Sequence, residues 1–321
     1  MNYRVLGRTN LKVSEIGFGA WGIGGNSYGH ADDKESIEAL DLAFENGVTF
    51  YDTADLYGNG HSEEIIGKTF KQKREKIIIA SKGGTLPHTG FKMPQDFSFA
   101  YLTNALEKSL KKIRTDYIDL YQLHSPQLED IEKNNTIDTL EKFKQAGKIK
   151  EYGISVRSPQ DGLIAIEKYN FPIIQVNYNM IDQRAREINL FEAAKRNQTG
   201  LIIRTPLVFG FLTGNLTGKE KFEGQDHRNQ WPKEQIERWA NAPELFRQLN
   251  ENKKRTLVQL ALQFCLYDHA VSTVIPGMMN VKEVEENTGA SNLKNISSEE
   301  MEQVYAIYRS NDFYDKKAKV I

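Results

Sequence analysis

Thr49-Phe50-Tyr51-Asp52-Thr53-Ala54-Asp55-Leu56-Tyr57-Gly58, followed at once by Asn59-Gly60-His61-Ser62-Glu63-Glu64-Ile65-Ile66-Gly67, decides how the rest of the chain is read. The apolar run 48–51 is rich in β-branched and aromatic residues and has the character of a buried strand. It ends on a carboxylate, Asp52. Gly58-Asn59-Gly60 then marks a turn, and acidic residues just beyond it mark the first turn of a helix. Tyr57 falls in the loop between strand and helix. An acid at a strand tip and a phenol five residues on fit a structural ion pair and a reactive site equally well, so the other strand ends carry the decision.

Outward from this stretch the same alternation repeats. Runs of strand length at 16–21, 48–52, 77–82, 117–124, 152–156, 173–177, 201–206 and 271–276 alternate with amphipathic patterns at 34–46, 62–71, 99–113, 136–146, 159–169, 186–197 and 255–267. Two further helical patterns follow at about 281–290 and 298–310. Such alternation implies parallel strands with crossover helices. Eight strands in a chain of 321 residues fit a closed barrel. The expected fold is therefore α/β, a (β/α)8 TIM barrel, as one domain over residues 1–321. A doubly wound open sheet is the alternative. Residues 3–6 and 11–16 flank Gly7-Arg8-Thr9-Asn10 and read as an N-terminal β-hairpin covering the bottom of the barrel. Gly17, Gly19 and Gly22 match G-x-G-x-x-G, but the chain continues as loop through Gly29. A dinucleotide fingerprint needs a helix to open at those glycines, and the next helical pattern begins too late.

Two connections are too long for ordinary barrel loops, 83–97 and 208–252, and both follow strands. They belong on the C-terminal face, where barrel enzymes place their sites. The second holds Trp231, Trp239, the polar run Asp226-His227-Arg228 and a helical stretch near 233–240.

Composition narrows the classes. Lys and Arg number 42 against 43 Asp and Glu, a formal net charge of −1, which argues against a dedicated nucleic-acid or anionic-membrane surface. It permits a homo-oligomer without specifying one. The single cysteine, Cys265, lies in an apolar helical pattern and reads as core; its usage suits a reducing, cytoplasmic setting. The N-terminal residues lack the apolar core of a signal peptide, and no run approaches a membrane span.

The third strand ends at Lys82 and the fourth at His124. A lone lysine or histidine at such a position is usually solvated or structural. With Asp52 they mark three neighbouring strand ends and converge on one point. A phenol, with an ordinary pKa near 10, is a poor acid–base group at neutral pH. A cation within hydrogen-bond reach lowers that value. Lys82 can supply the charge, Asp52 can hold Lys82, and His124 can orient a substrate oxygen or share the proton transfer. This set protonates a carbonyl oxygen while hydride reaches carbon. No side chain donates hydride, so a reduction implies a nicotinamide cofactor.

At these residues the chain resembles the aldo-keto reductase family. The likeness is carried by Phe50 through Gly58 with Ser62-Glu63-Glu64-Ile65-Ile66-Gly67, and it extends from Leu6-Gly7-Arg8-Thr9 to Glu286-Asn287. It implies a barrel that binds NADP(H) or NAD(H) without a Rossmann domain and without metal. Its catalytic set falls on Asp52, Tyr57, Lys82 and His124, with Tyr57 as the acid in reduction. Implied cofactor contacts are Gly19, Ala20, Trp21 and Asp52; Ser155 and Gln175 for the carboxamide; Arg204, Thr205, Pro206, Leu207 and Gly210; Arg228 over the diphosphate; and Gly277, Met279, Glu283, Glu286 and Asn287 around adenosine. Trp21, Tyr57 and His124 face the substrate, a small carbonyl compound or polyol.

Departures from the family pattern matter too. Val156 stands where Asn is usual, Arg204 where an aromatic often stacks on nicotinamide, and Thr213-Gly214-Asn215 where many relatives carry a lysine. Neither Met279 nor Glu283 is basic, so the expected preference for NADP is weak. Trp21, Trp231 and Trp239 could wall an apolar pocket, whereas Arg204, Arg228 and His227 lean towards a hydroxylated or anionic substrate. Two other classes stay open. One is a regulatory or scaffold barrel that keeps the cofactor with slow chemistry. The other is a phosphate-binding isomerase, for which Pro206-Leu207-Val208 and Gly277-Met278-Met279 offer no convincing cradle.

Overall fold

Inward-facing residues recur at every second position along each strand of the sheet, and this alternation builds the centre of the molecule. The computed structural model describes residues 1–25, 27–87, 93–222, 224–250 and 255–315. Eight parallel strands follow one another in chain order: β3 (Phe18–Gly19), β4 (Phe50–Asp52), β5 (Ile78–Gly83), β6 (Ile118–His124), β7 (Ile149–Ser155), β8 (Ile173–Asn177), β9 (Gly200–Arg204) and β10 (Val271–Val274). Parallel bridges join Ile16 to Val274 and Gly19 to Gly277, so the last strand meets the first. Across this seam the Gly17 amide donates to the Val274 carbonyl at 2.8 Å and the Gly19 amide to that of Pro276 at 2.9 Å. This is the expected (β/α)8 barrel, not the open sheet.

The hairpin precedes it as β1 (Tyr3–Val5) and β2 (Lys12–Ser14), paired antiparallel. Leu6, Leu11 and Val13 pack with Phe50, Ala80, Leu120, Ile173, Ile202 and Ile275 in one apolar cluster, which closes the barrel floor. Arg4 fastens the hairpin by donating to the carbonyls of Val271 and Leu266 at 2.8 and 3.0 Å. Gly7 has φ +58°, and a Cβ there would lie 2.1 Å from the Gly200 nitrogen, so the approach needs glycine on both sides. Two residues above this floor, the inward positions of five strands are Asp52, Lys82, Gln122, Gln175 and Arg204. The interior thus turns from apolar to polar in a single layer.

The helices follow the sequence pattern with local differences. Phe99–Ile113 and Ser298–Ser310 have the expected bounds, each started by a serine N-cap, and the second carries a capping box between Ser297 and Glu300. The pattern expected at 186–197 is split into Arg184–Glu187 and Leu190–Asn197, because Asn189 takes a left-handed conformation with φ +60°. Leu128–Lys133 is a short helix the periodicity did not announce. In the second long connection, Lys233–Phe246 runs further than expected and carries Pro243 within it. The first long connection returns on itself, with Thr85 bridged to Gln95. Its tip, 88–92, lies outside the described residues. Among the described residues no helix is long and apolar enough to cross a membrane.

Candidate active site

Asp52, at the tip of β4, faces into the barrel and is 2% exposed. Lys82 on β5 is fully buried, and its ammonium reaches Asp52 Oδ1 at 2.5 Å, the Thr53 carbonyl at 2.9 Å and the Tyr57 hydroxyl at 3.2 Å. The other oxygen of Asp52 accepts from Gln175 at 2.7 Å and from Gln122 at 3.4 Å. His124, at the end of β6, stands edge-on to Tyr57 with ring centroids 6.0 Å apart. The four residues singled out at strand ends and loop are thus brought together.

The loop after β4 aims Tyr57. A one-turn 3-10 helix, Tyr57–Gly60, contains three left-handed residues, Gly58, Asn59 and Gly60. A Cβ on Gly58 would fall 1.5 Å from the Gly24 carbonyl oxygen. Glycine is needed both for the positive φ and for this contact, which ties the β3 and β4 loops together.

Burial and charge compete at this centre. Desolvation pushes the Tyr57 phenol upward, and the Lys82 charge pulls against it without winning. Lys82 thus pulls the phenol down, as expected of a neighbouring cation, and offsets part of a burial penalty that is not legible in the sequence. Lys82 itself is pushed down by burial, but the Asp52 carboxylate and Tyr57 outweigh this and hold it above the ordinary lysine value. The ammonium stays charged and donates to the phenolic oxygen, which leaves the phenolic O–H free to donate into the cavity.

That cavity has a volume of about 530 Å³ and runs from Tyr57 and His124 to the loop and helix after β10. Each cofactor and substrate position named from the sequence lines it: Gly19, Ala20, Trp21, Asp52, Tyr57 and His124; Ser155 and Gln175; Arg204 to Leu207, Gly210 and Arg228; and Gly277, Met279, Glu283, Glu286 and Asn287. Lys82 is absent from the wall and touches it through Asp52 and the Tyr57 hydroxyl. Ser155 donates to Gln175 Oε1 at a long 3.4 Å, so its hydroxyl is weakly held. The Val156 side chain is buried in the core and offers no amide. Its carbonyl accepts from Arg204 at 3.1 Å, while Arg204 Nε is buried with no hydrogen-bond partner among the described residues. Burial lowers the Arg204 pKa. Arg228 forms a fork with the buried Asp226, at 3.0 and 2.6 Å. At the far end, Glu283 accepts from the Met279 amide at 2.7 Å, and burial raises its carboxyl above the usual range.

Other wall residues were not picked out from the sequence: Tyr28, Met93, Ser125 and Phe209. Tyr28 comes from the glycine-rich loop, where no periodicity signals a facing direction. Its ring packs on Trp21 and His227 at 5.1 and 4.6 Å. His227 bonds the Ser27 carbonyl through both its backbone amide and its ring Nδ1, at 3.0 and 2.8 Å, which joins the two loops over the cavity. Trp21 and Trp231 line the cavity, but Trp239 does not. It is 1% exposed and packs on Phe209, Phe211 and Trp231, which corrects its expected place in a pocket wall.

Comparison with known proteins agrees with this architecture. The sequence profile described as "Aldo/keto reductase family" matches residues 15–309. An uncharacterized oxidoreductase of Bacillus subtilis, YqkF, is 32% identical over 316 residues, covering 98% of each chain. The holo form of the aldo-keto reductase AKR11C1 from Bacillus halodurans superposes with a TM-score of 0.80 at 31% identity, over 98% of this chain and 99% of that one. The glycerol dehydrogenase AKR11B4 from Gluconobacter oxydans gives 0.82 at 26% identity, over 99% and 98%. With its barrel, its cavity and these matches over nearly its whole length, the chain belongs to the aldo/keto reductase family and is an oxidoreductase that works on carbonyl and alcohol groups with a nicotinamide cofactor.

Proposed function

We propose that this oxidoreductase interconverts a small aldehyde, ketone or sugar-like carbonyl and its alcohol, with Tyr57 as the proton donor in reduction. The observation that carries the proposal is the position of the Tyr57 hydroxyl, which accepts from Lys82 and faces a cavity also lined by His124.

The residues at hand suit a nicotinamide cofactor. The cavity is elongated, and the orphaned Nε of Arg204, the weakly held hydroxyl of Ser155 and the space beside Gly277, where an added Cβ would meet nothing within 4 Å, leave polar groups and room for a ligand. Hydride is the chemistry such a cofactor supplies when bound. Ser155 and Gln175 would hold its carboxamide, Arg204 its ring face, and Arg228 its diphosphate. Trp21 and Tyr28 exclude water from the reacting end. In reduction, Tyr57 donates its proton to the carbonyl oxygen, and the Lys82 charge stabilises the phenolate that remains. His124 orients the same oxygen. Asp52 keeps Lys82 charged and in place.

The acidic character of the adenosine end supports use of NADH. Glu283 lies within the cavity wall, whereas Lys282 is exposed and outside it. A carboxylate there opposes a 2′-phosphate, so the NADP preference is weak and NADH is accepted. For substrate, Arg204, Arg228 and the polar loop support a hydroxylated compound, in line with the polyol named for the Gluconobacter relative. The composition supports a cytoplasmic enzyme.

The test is a screen of sugars, inositols, short keto compounds and aromatic aldehydes in both directions with NADH and NADPH, run beside Tyr57→Phe. Turnover that falls at least about a hundredfold in the variant supports the proposal. Equal rates in the two proteins remove Tyr57 from the mechanism and favour a scaffold role.

A further inference from the structure

The left-handed bend that follows His124 is held by donors from two other elements. Ser125 has φ +55°, a conformation that a non-glycine residue keeps only when its surroundings over-determine it. Its amide donates to the Ser155 carbonyl at 2.9 Å. The two successive carbonyls, of His124 and Ser125, then collect side-chain donors. Thr85 Oγ1 donates to His124 O at 2.6 Å. The Gln95 carboxamide nitrogen lies 3.1 Å from His124 O and 2.8 Å from Ser125 O. Arg157 Nε donates to Ser125 O at 2.8 Å, and its Nη2 donates to Gln95 Oε1 at 2.5 Å. Gln95 is the hub: it donates to the bend and accepts from the arginine that also holds the bend.

Gln95 belongs to the returning arm of the first long connection. Its neighbour Met93 is part of the cavity wall, as is Ser125. One short arm therefore forms part of the wall against which a substrate rests and also clamps the backbone that carries the His124 imidazole. We propose that Gln95, backed by Arg157, is a positioning residue for His124, and that it ties substrate contact at the Met93 arm to the orientation of that imidazole. This rests on the proposed role of His124 in carbonyl reduction.

The physical expectation is specific. A carboxamide both donates to carbonyls and accepts from a guanidinium. A carboxylate in its place would repel both carbonyls, and alanine would leave His124 O to Thr85, Ser125 O to Arg157 Nε, and Arg157 Nη2 without its Gln95 acceptor. A displacement of the imidazole by even a fraction of an ångström acts on the reacting geometry more than on binding.

The experiment is a double-mutant cycle on the full-length enzyme, with Gln95→Ala, His124→Ala and the pair, and with Gln95→Glu and Arg157→Lys alongside. Steady-state kcat and KM are measured for one aromatic aldehyde, with cofactor Kd from fluorescence and thermal midpoints for each variant. Gln95→Ala is expected to lower kcat about tenfold or more with cofactor Kd unchanged, and to have no further effect once His124 is alanine. Gln95→Glu should fall at least as far as Gln95→Ala, and Arg157→Lys, which keeps the charge but loses the fork, should fall less. Equal losses from Gln95→Ala with and without His124 would overturn the proposal, as would a fall confined to the thermal midpoint. A His124→Ala variant with wild-type turnover would instead remove the role of His124 on which the proposal rests.

Discussion

The Lys82 ammonium lies 3.2 Å from the Tyr57 hydroxyl and 2.5 Å from Asp52, with no exposed surface of its own. A charge held this way is both a tuning device and a structural liability. Removing it by Lys82→Met leaves the Asp52 carboxylate buried and unpaired. We expect a loss of about 3–5 kcal/mol in urea unfolding and a collapse of turnover in the same protein. Asp52→Asn is the informative partner, since it removes the carboxylate but keeps a hydrogen-bonding side chain. Wild-type stability in Lys82→Met would show that the pair is not isolated from water.

Behind Lys82, on the outer side of β5, sits a second polar cluster. Ser81 donates to Glu63 Oε1 at 2.6 Å, and Glu63 is fully buried. Asp55 Oδ1, Glu63 Oε2 and the Tyr121 hydroxyl have no hydrogen-bond partner among the described residues. Burial, reinforced by Glu63, pushes the Asp55 carboxyl up to about 7. A carboxyl whose pKa is raised on folding stabilises the fold fully below its unfolded value and loses that contribution as pH rises through its folded value. Between about pH 4 and pH 7 the protein should therefore lose stability at this site, by on the order of 1 kcal/mol for each step of one in pH. Asp55→Asn should flatten this slope and unfold later than wild type above pH 7. Parallel denaturation curves for the two proteins from pH 5 to 8 would refute the assignment.

Glu283 offers a direct handle on cofactor choice. Its carboxylate faces the cavity and is held by the Met279 amide at 2.7 Å. Glu283→Gln keeps the hydrogen-bonding shape and removes the charge. Fluorescence titration should show NADPH binding at least about fivefold tighter, roughly 1 kcal/mol, with NADH little changed. For the wild type, NADPH bound more than about tenfold tighter than NADH would contradict the weak preference.

Gly58 should be intolerant of substitution. Alanine there meets the Gly24 carbonyl and a positive φ together. The expected cost is about 1–3 kcal/mol from the backbone conformation alone, before any shift of the β3 loop. Because Tyr57 is the preceding residue, kcat should fall with stability, while Gly224→Ala, with φ +56° and nothing near its added Cβ, should affect stability only.

Much of this was legible from strand ends. Asp52, Lys82 and His124 close runs whose periodicity gives both their face and their neighbours, so their convergence follows once the strands are parallel. Tyr57 could be placed because its loop is short. The direction of its pKa shift could not, because desolvation depends on how completely Trp21 and the second long loop cover it. Tyr28, Ser27 and the contact of His227 with them escaped for a related reason: their meeting joins loops 200 residues apart, and no period within either loop records it. Trp239 misled because the helical stretch that carries it was legible but its buried face was not: the ring turns onto Phe209, Phe211 and Trp231 instead of the cavity. Gln95 and Arg157 act through backbone carbonyls, to which a side-chain pattern is blind.

The seam of the barrel bears on how the protein comes to be active. Gly19 and Gly277 are bridged across it, and both line the cavity. Asp52, Lys82 and His124 on β4, β5 and β6 emerge early in synthesis, yet the part of the cavity wall formed by Gly277, Met279, Glu283 and Asn287 is missing until the last strand has been made and has docked against the first. Function is thus postponed to the end of folding. A ligand lying along that wall would span the joint like a staple across a hoop and resist its opening. Occupancy and resistance to unfolding should then rise together with ligand concentration, by RT ln(1 + [L]/Kd).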